Sequence, residues 1–110
     1  MSKINVRQAL NDAIREEMEA DPTVIIMGCD IGVRGGPFGV TLGLQDQFGK
    51  MRVIDTPISE PGFTGMGVGA AATGLRPIVE ILYSDWLTLT SDQIVNMAAK
   101  MRYMFGGKVN

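Results

Sequence analysis

Glu60 stands at the start of a glycine-rich apolar run, Ile58-Ser59-Glu60-Pro61-Gly62-Phe63-Thr64-Gly65-Met66-Gly67-Val68-Gly69-Ala70-Ala71-Ala72, directly after the strand-like segment Arg52-Val53-Ile54-Asp55-Thr56-Pro57. A carboxylate in that place has two roles open to it. As a first-turn acid behind a capping Ser59 it would oppose the helix macrodipole, a contribution of about 0.3 to 1 kcal/mol. Desolvated by apolar neighbours such as Ile58, Phe63 and Leu82, it would instead hold its proton more tightly and could share that proton with a bound ligand. The glycines sharpen the question. In a helix, Gly62, Gly65, Gly67 and Gly69 together cost about 3 to 4 kcal/mol relative to alanine, so a close approach to the backbone must offset them. Tyr83 and Trp86, at the expected end of a later strand, could present an aromatic face to a flat ring, although such residues are more often core or interface.

Other chemistries are thinner. The chain has no histidine, which removes Ser-His-Asp and Cys-His systems and histidine-containing zinc sites. Acid and base work falls to carboxylates, Tyr, Lys or the single Cys29, which reads as an inert thiol because no base lies near it in sequence. Gly67-Val68-Gly69-Ala70-Ala71-Ala72 matches the dinucleotide string G-x-G-x-x-A, but its first glycine should sit in a tight turn directly after a strand, and too many residues intervene after Thr56. Gly49-Lys50 lacks the rest of a phosphate-binding loop, and the glycines between Gly32 and Gly39 read as turns.

The elements that must position Glu60 alternate. Val6, Ala9, Leu10, Ala13, Ile14 and Met18 recur at helical spacing, with Asn5 and Gln8 placed as a capping box. Thr23 to Met27 is a β-branched run ended by Gly28, as in a strand buried on both faces. A loop from Cys29 to Gly39 precedes a short helix over Leu42 to Phe48, closed by Gly49. Arg52 to Thr56 is predicted as the second strand, Ser59 to Thr73 as the glycine-rich helix stopped by Gly74, and Pro77 to Tyr83 as the third strand. A last helix is predicted from Trp86 to Met104, with Met97, Met101 and Met104 as a packing stripe. This order implies an α/β fold, a parallel sheet with helices on both faces, and ligands gathered beyond the carboxyl ends of the strands. Another strand would be expected after Asn110, so the reading is of one domain over residues 1–110, incomplete at its carboxyl end, with a sheet edge left unpaired.

Composition sets the bounds. The chain has 110 residues, 45% of them hydrophobic and only 6% aromatic, with 14 glycines and 8 methionines, describing an aliphatic core with close backbone contacts. Net charge is −2 and the ten basic residues form no stripe, which argues against nucleic acid as a partner. No apolar run approaches the roughly 20 residues that span a bilayer, and the amino terminus lacks a signal-like apolar stretch, so no membrane association is expected. A lone cysteine suits a reducing compartment.

Three blocks together carry a resemblance: Asp55-Thr56-Pro57-Ile58-Ser59-Glu60-x-Gly62-Phe63-x-Gly65-x-x-Val68-Gly69-Ala70-Ala71; Gly74-Leu75-Arg76-Pro77-Ile78; and Asp92-Gln93-Ile94-Val95-Asn96-x-Ala98-Ala99-Lys100-x-x-Tyr103-Met104-x-Gly106-Gly107. The chain resembles, over essentially its whole length, the β subunit of thiamin-diphosphate-dependent 2-oxo acid dehydrogenase E1 components of the pyruvate, branched-chain and acetoin types. The resemblance implies a transketolase-type pyrimidine-binding domain. It implies that Glu60 hydrogen-bonds N1′ of the cofactor's aminopyrimidine, favouring the imino tautomer that deprotonates the thiazolium carbon, with the cofactor as electron sink. Trp86 would pack against the aminopyrimidine where the family often has Phe, and Leu82 and Ile58 would be further wall residues. The diphosphate and its magnesium are then expected on a partner α subunit, and no metal ligands on this chain. The implied partners are that α subunit and a second β subunit in a heterotetramer, a lipoyl-bearing E2 component and a 2-oxo acid substrate, in a bacterial cytoplasm or an organelle matrix. Cys29 stands where many members carry an acid assigned to a proton path, leaving Asp30 as the substitute. The alternatives are an acetoin dehydrogenase β subunit and a non-catalytic α/β interaction module in which Glu60 only starts a helix.

Overall fold

The computed structural model describes residues 4–109. Helix α1 (Val6–Ala20) begins where Asn5 Oδ1 accepts the Gln8 amide at 2.9 Å. The reciprocal half of the box is not made: the Gln8 side chain donates forward to Asp12 Oδ1 at 2.7 Å. Strand β1 (Val24–Gly28) is buried throughout, as its unbroken apolar sequence requires. Helix α2 (Leu44–Phe48), strand β2 (Val53–Asp55), helix α3 (Glu60–Ala72) and strand β3 (Arg76–Val79) follow. The sheet is parallel in the order β2-β1-β3, pairing Ile26 with both Val53 and Ile78.

Period-two alternation along β1 assigns the two layers. Val24 and Ile26 join Met18, Ile31, Leu44 and Val53 in the core, with Ile14, Phe48 and Ile78 packed against it. Each of these fully buried aliphatic side chains contributes about 1.5 to 3 kcal/mol. On the opposite face α3 lies so close to the sheet that a Cβ at Gly67 would stand 2.6 Å from Val79 Cγ2 and 3.8 Å from Met27 Sδ. Helices therefore cover both faces of a parallel sheet, as the order of elements implies. Arg52 locks the start of β2 to the end of α1. Its Nη2 donates to the carbonyls of Met18, Asp21 and Val24 at 2.8, 2.9 and 2.7 Å, and its guanidinium carbon lies 5.1 Å from the centre of the Phe48 ring. Carbonyls at the helix end thus find the donors they would otherwise lack.

Two elements differ from expectation. β3 ends at Val79, four residues short of Tyr83, because β1 offers no ladder beyond Gly28; the last bond is from the Glu80 amide to Met27 O at 2.9 Å. The last helix is not one α-helix but a 3₁₀ segment (Ser84–Thr90), a π-helical segment (Asp92–Ala98) and helix α4 (Ala99–Met104). Hydroxyls explain the break: Thr88 donates to Asp85 O, and Thr90 and Ser91 both donate to Leu87 O, at 3.0, 2.9 and 3.3 Å. Such back-bonding competes with the regular ladder. No helix among the described residues is long and apolar enough to cross a membrane.

Candidate functional site

Glu60 is the first residue of α3, partly buried, with Pro61 behind it in the helix's first turn. Ser59 occupies the N-cap position, yet its hydroxyl makes no capping bond. The bare Gly62 leaves it room, since a Cβ there would lie 2.7 Å from Ser59 Oγ. The glycine cost anticipated for this helix has a specific cause at two positions. Gly62 clears Ser59 and Gly67 clears Val79, whereas a Cβ at Gly65 would make an ordinary contact with Gln93 Cγ at 3.4 Å and one at Gly69 would meet nothing within 4 Å. Gly67 lies inside α3 and not in a strand-to-helix turn, which removes the dinucleotide reading.

The other expected wall residues lie around the same end of the sheet. Ile58, two residues ahead of Glu60, is 85% exposed, and Trp86 is 44% exposed. Leu82 is partly buried in the segment after β3, and Trp86 lies on the 3₁₀ segment, not at a strand end. That segment packs against α3, the helix that Glu60 opens. Phe63 is buried beneath α3. Tyr83 does not join Trp86 but meets Phe38 edge to face, with ring centres 5.9 Å apart at 71°. Met97 and Met104 are exposed and Met101 only partly buried, so the methionines form no closed packing stripe within the described residues.

Two grooves flank α3. One of about 410 Å³ follows the end of β2 and the first turn, lined by Asp55, Thr56, Pro57, Ser59, Gly62 and Phe63. The larger, about 630 Å³, runs between α3, β3 and the last helical segments, and Thr64 and Leu87 stand among its walls. It is the smaller one that touches the turn carrying Glu60. Thr64, one turn beyond Glu60 on the same helix face, has a buried hydroxyl with no partner among the described residues, and so does Gln93 Oε1. Thr64 lines the larger groove, and neither groove is lined by Ile58, Glu60, Leu82 or Trp86, so the chain alone does not gather the four expected site residues into one cavity.

Cys29 is partly buried, its Sγ 3.5 Å from Pro57 O and 3.7 Å from Thr56 Oγ1. Asp30 is exposed and has a left-handed backbone, φ 58°. Asp55 holds the following loop, its Oδ1 accepting the Gly32 amide at 2.8 Å. The residue that sequence reading missed is Glu80, directly after β3, whose carboxyl is pushed up from its ordinary pKa by burial. A lone acid within the apolar run Ile78 to Leu82 was the available signal. No group of three or more His, Cys, Asp or Glu side chains is gathered for a metal among the described residues.

The family model for the transketolase pyrimidine-binding domain matches residues 2–107. The chain belongs to this family. It is 49% identical over 108 residues to the mitochondrial pyruvate dehydrogenase E1 component subunit beta-1 of Oryza sativa subsp. japonica, covering 98% of this chain and 29% of that protein. It is 50% identical over 109 residues to the pyruvate dehydrogenase E1 component subunit beta of Rhizobium meliloti (strain 1021), covering 99% of this chain and 24% of that one. With the subunit beta of Rickettsia bellii (strain RML369-C) identity is 52% over 107 residues, covering 97% and 33%. The chain thus spans between a quarter and a third of the length of these relatives.

Proposed function

We propose that the chain is the pyrimidine-binding portion of a pyruvate dehydrogenase E1 β subunit and supplies half of a thiamin diphosphate site. The observation that carries this is the position of Glu60, in the first turn of α3 beside a groove and an unsatisfied hydroxyl, in a chain about half identical to named E1 β subunits. When bound, thiamin diphosphate supplies the electron sink for decarboxylating a 2-oxo acid. Glu60 would hydrogen-bond a ring nitrogen of the aminopyrimidine through its carboxyl. Trp86 would offer its indole face to that ring, with Leu82 and Ile58 as further apolar residues beside it. Diphosphate and magnesium would be held by an α subunit, and a lipoyl-bearing E2 component would be the further partner. The β subunits pair in a heterotetramer, working in a bacterial cytoplasm or an organelle matrix. The substrate is pyruvate, after the relatives' names.

The test is Glu60→Gln in the full-length subunit assembled with its partner. Gln keeps the shape and a hydrogen bond but cannot exchange the proton, so turnover should fall about a hundredfold or more while cofactor binding and melting temperature hold. Turnover within twofold of the parent enzyme would remove Glu60 from the chemistry.

A further inference from the structure

The strand order places a topological switch point at the same end of the sheet. The chain leaves β1 for β2 on one side, then crosses by α3 to β3 on the other, so the order reverses between β1 and β3. In open α/β sheets the gap beyond the carboxyl ends at such a reversal is where ligands bind. Glu80 occupies that gap. Gly28 ends β1 beside it, and a Cβ at position 28 would lie 3.1 Å from both the Cβ and the carbonyl oxygen of Glu80. Gly36, at φ 75° in the loop above, faces the carboxylate, where a Cβ would stand 3.4 Å from Oε2 and 3.7 Å from Oε1. Glycine on both sides leaves the carboxyl a slot.

Glu80 Oε2 is shielded from solvent and accepts no hydrogen bond among the described residues. A carboxylate that is buried without a donor is destabilising, and native proteins leave few such atoms. The residue as a whole is only partly buried and Oε1 is not among the solvent-closed atoms, so an incoming donor reaches the carboxylate at Oε1 while Oε2 stays shielded. The two segments that meet at Glu80 each carry an exposed ring, Phe38 two residues after Gly36 and Tyr83 three residues after Glu80, and the rings pair edge to face. An exposed aromatic pair beside a desolvated acceptor has the anatomy of a protein interface. The acceptor's charge calls for a cation.

We propose that the crevice between β1 and β3 docks a guanidinium or ammonium side chain of the partner α subunit, which donates to Glu80 while its stem packs on Phe38 and Tyr83. This rests on the reading of the chain as one half of a two-subunit enzyme. It assigns Glu80 to assembly and not to the reaction.

The experiment measures association of full-length β subunit with α subunit, using Glu80→Gln and Phe38→Ala. Glu80→Gln should weaken association about tenfold to a hundredfold, the range for a hydrogen bond to a charged group, and flatten its salt dependence. The unassembled β chain should meanwhile be as stable as the parent or more so, because a desolvated charge has been removed. At saturating α subunit, turnover should return to the parent value. Phe38→Ala, which removes an exposed ring and leaves the carboxylate in place, should weaken association by about tenfold. Parent-like association of Glu80→Gln, a loss of stability in the free chain, or a turnover defect that saturation does not cure would each overturn the docking role. Failure of the parent subunits to associate at all would instead sink the two-subunit reading on which it rests.

Discussion

The two faces of the sheet are finished to different degrees. On the α1 and α2 side Met18, Ile26, Leu44 and Val53 are almost completely buried, and Arg52 ties helix end to strand start through the main chain. On the α3 side, nearly every described residue from Tyr83 to Lys108 is exposed, including Leu89, Val95, Met97 and Phe105. The first half is a self-sufficient core. The second carries Glu60 and Trp86 beside apolar surface of the kind that marks contact with other protein, whereas Glu80, in step with Ile78, sits at the carboxyl-end rim of the first. Stability is thus built on one face and the proposed function on the other, so substitutions on the two faces should fail in different ways.

The sharpest contrast is between activity and folding. Glu60→Gln, on the open face, should lower turnover of the assembled enzyme by about two orders of magnitude without moving its melting temperature. Ile26→Ala, on the closed face, should do the reverse, costing about 2 to 5 kcal/mol of folding free energy by leaving a cavity in the core. Met104→Ala, where the side chain is 71% exposed, should stay within about 0.5 kcal/mol in the same urea titration. If Met104→Ala proved as costly as Ile26→Ala, the division into a closed and an open face would fall.

Within α3 the glycines separate the two faces residue by residue. Gly67→Ala drives a methyl group into Val79, 2.6 Å away, and should cost about 1 to 3 kcal/mol through overpacking. Gly69→Ala meets nothing within 4 Å and should stabilise the helix by about 1 kcal/mol. Equal effects at the two positions would mean that α3 does not press on the sheet where the structure has it. Urea midpoints for the pair decide this.

What the sequence made legible follows the same line. β1 was readable because its unbroken apolar run is answered by burial, α1 because its spacing and Asn5 cap are helical although only Met18 of its stripe is buried and Ile14 partly so, and Glu60 because a carboxylate before so many glycines is uncommon. Asn11 was not: it is buried within α1 because its Nδ2 donates to Val40 O and Leu42 O at 2.6 and 3.1 Å, partners about thirty positions away. For the same reason Val6, counted with the apolar stripe, is 76% exposed, since no distant segment among the described residues covers it. The end of β3 depends on where β1 stops, and the broken last helix on which hydroxyls turn back to the chain, neither visible in a hydropathy pattern. Glu80 escaped notice because its slot is made by Gly28 and Gly36, which only the fold brings to it.

The smallest expected effect tests the same contrast through pH. Asp21, at the end of α1, accepts from Thr23 Oγ1 and from the Thr23 amide, both at 2.7 Å, and the hydroxyl bond first and the amide second hold its pKa below the ordinary 3.8. A depressed carboxylate binds fewer protons folded than unfolded, so its contribution is full above 3.8 and disappears as pH falls through the folded value. Glu80 runs the other way. Burial raises it above 4.5, so the folded chain binds the extra proton, and the associated stability is full below 4.5 and lost as pH rises through the folded value. Asp21→Asn should therefore flatten the loss of stability on acidification below pH 3.8, whereas Glu80→Gln should flatten the loss on raising pH from 4.5 towards neutrality. Urea titrations of the unassembled chain across that range read both slopes. On adding the α subunit, the Glu80-dependent slope should vanish, because a docked cation lowers the carboxyl again. A slope that survives full assembly would show Glu80 still without a donor.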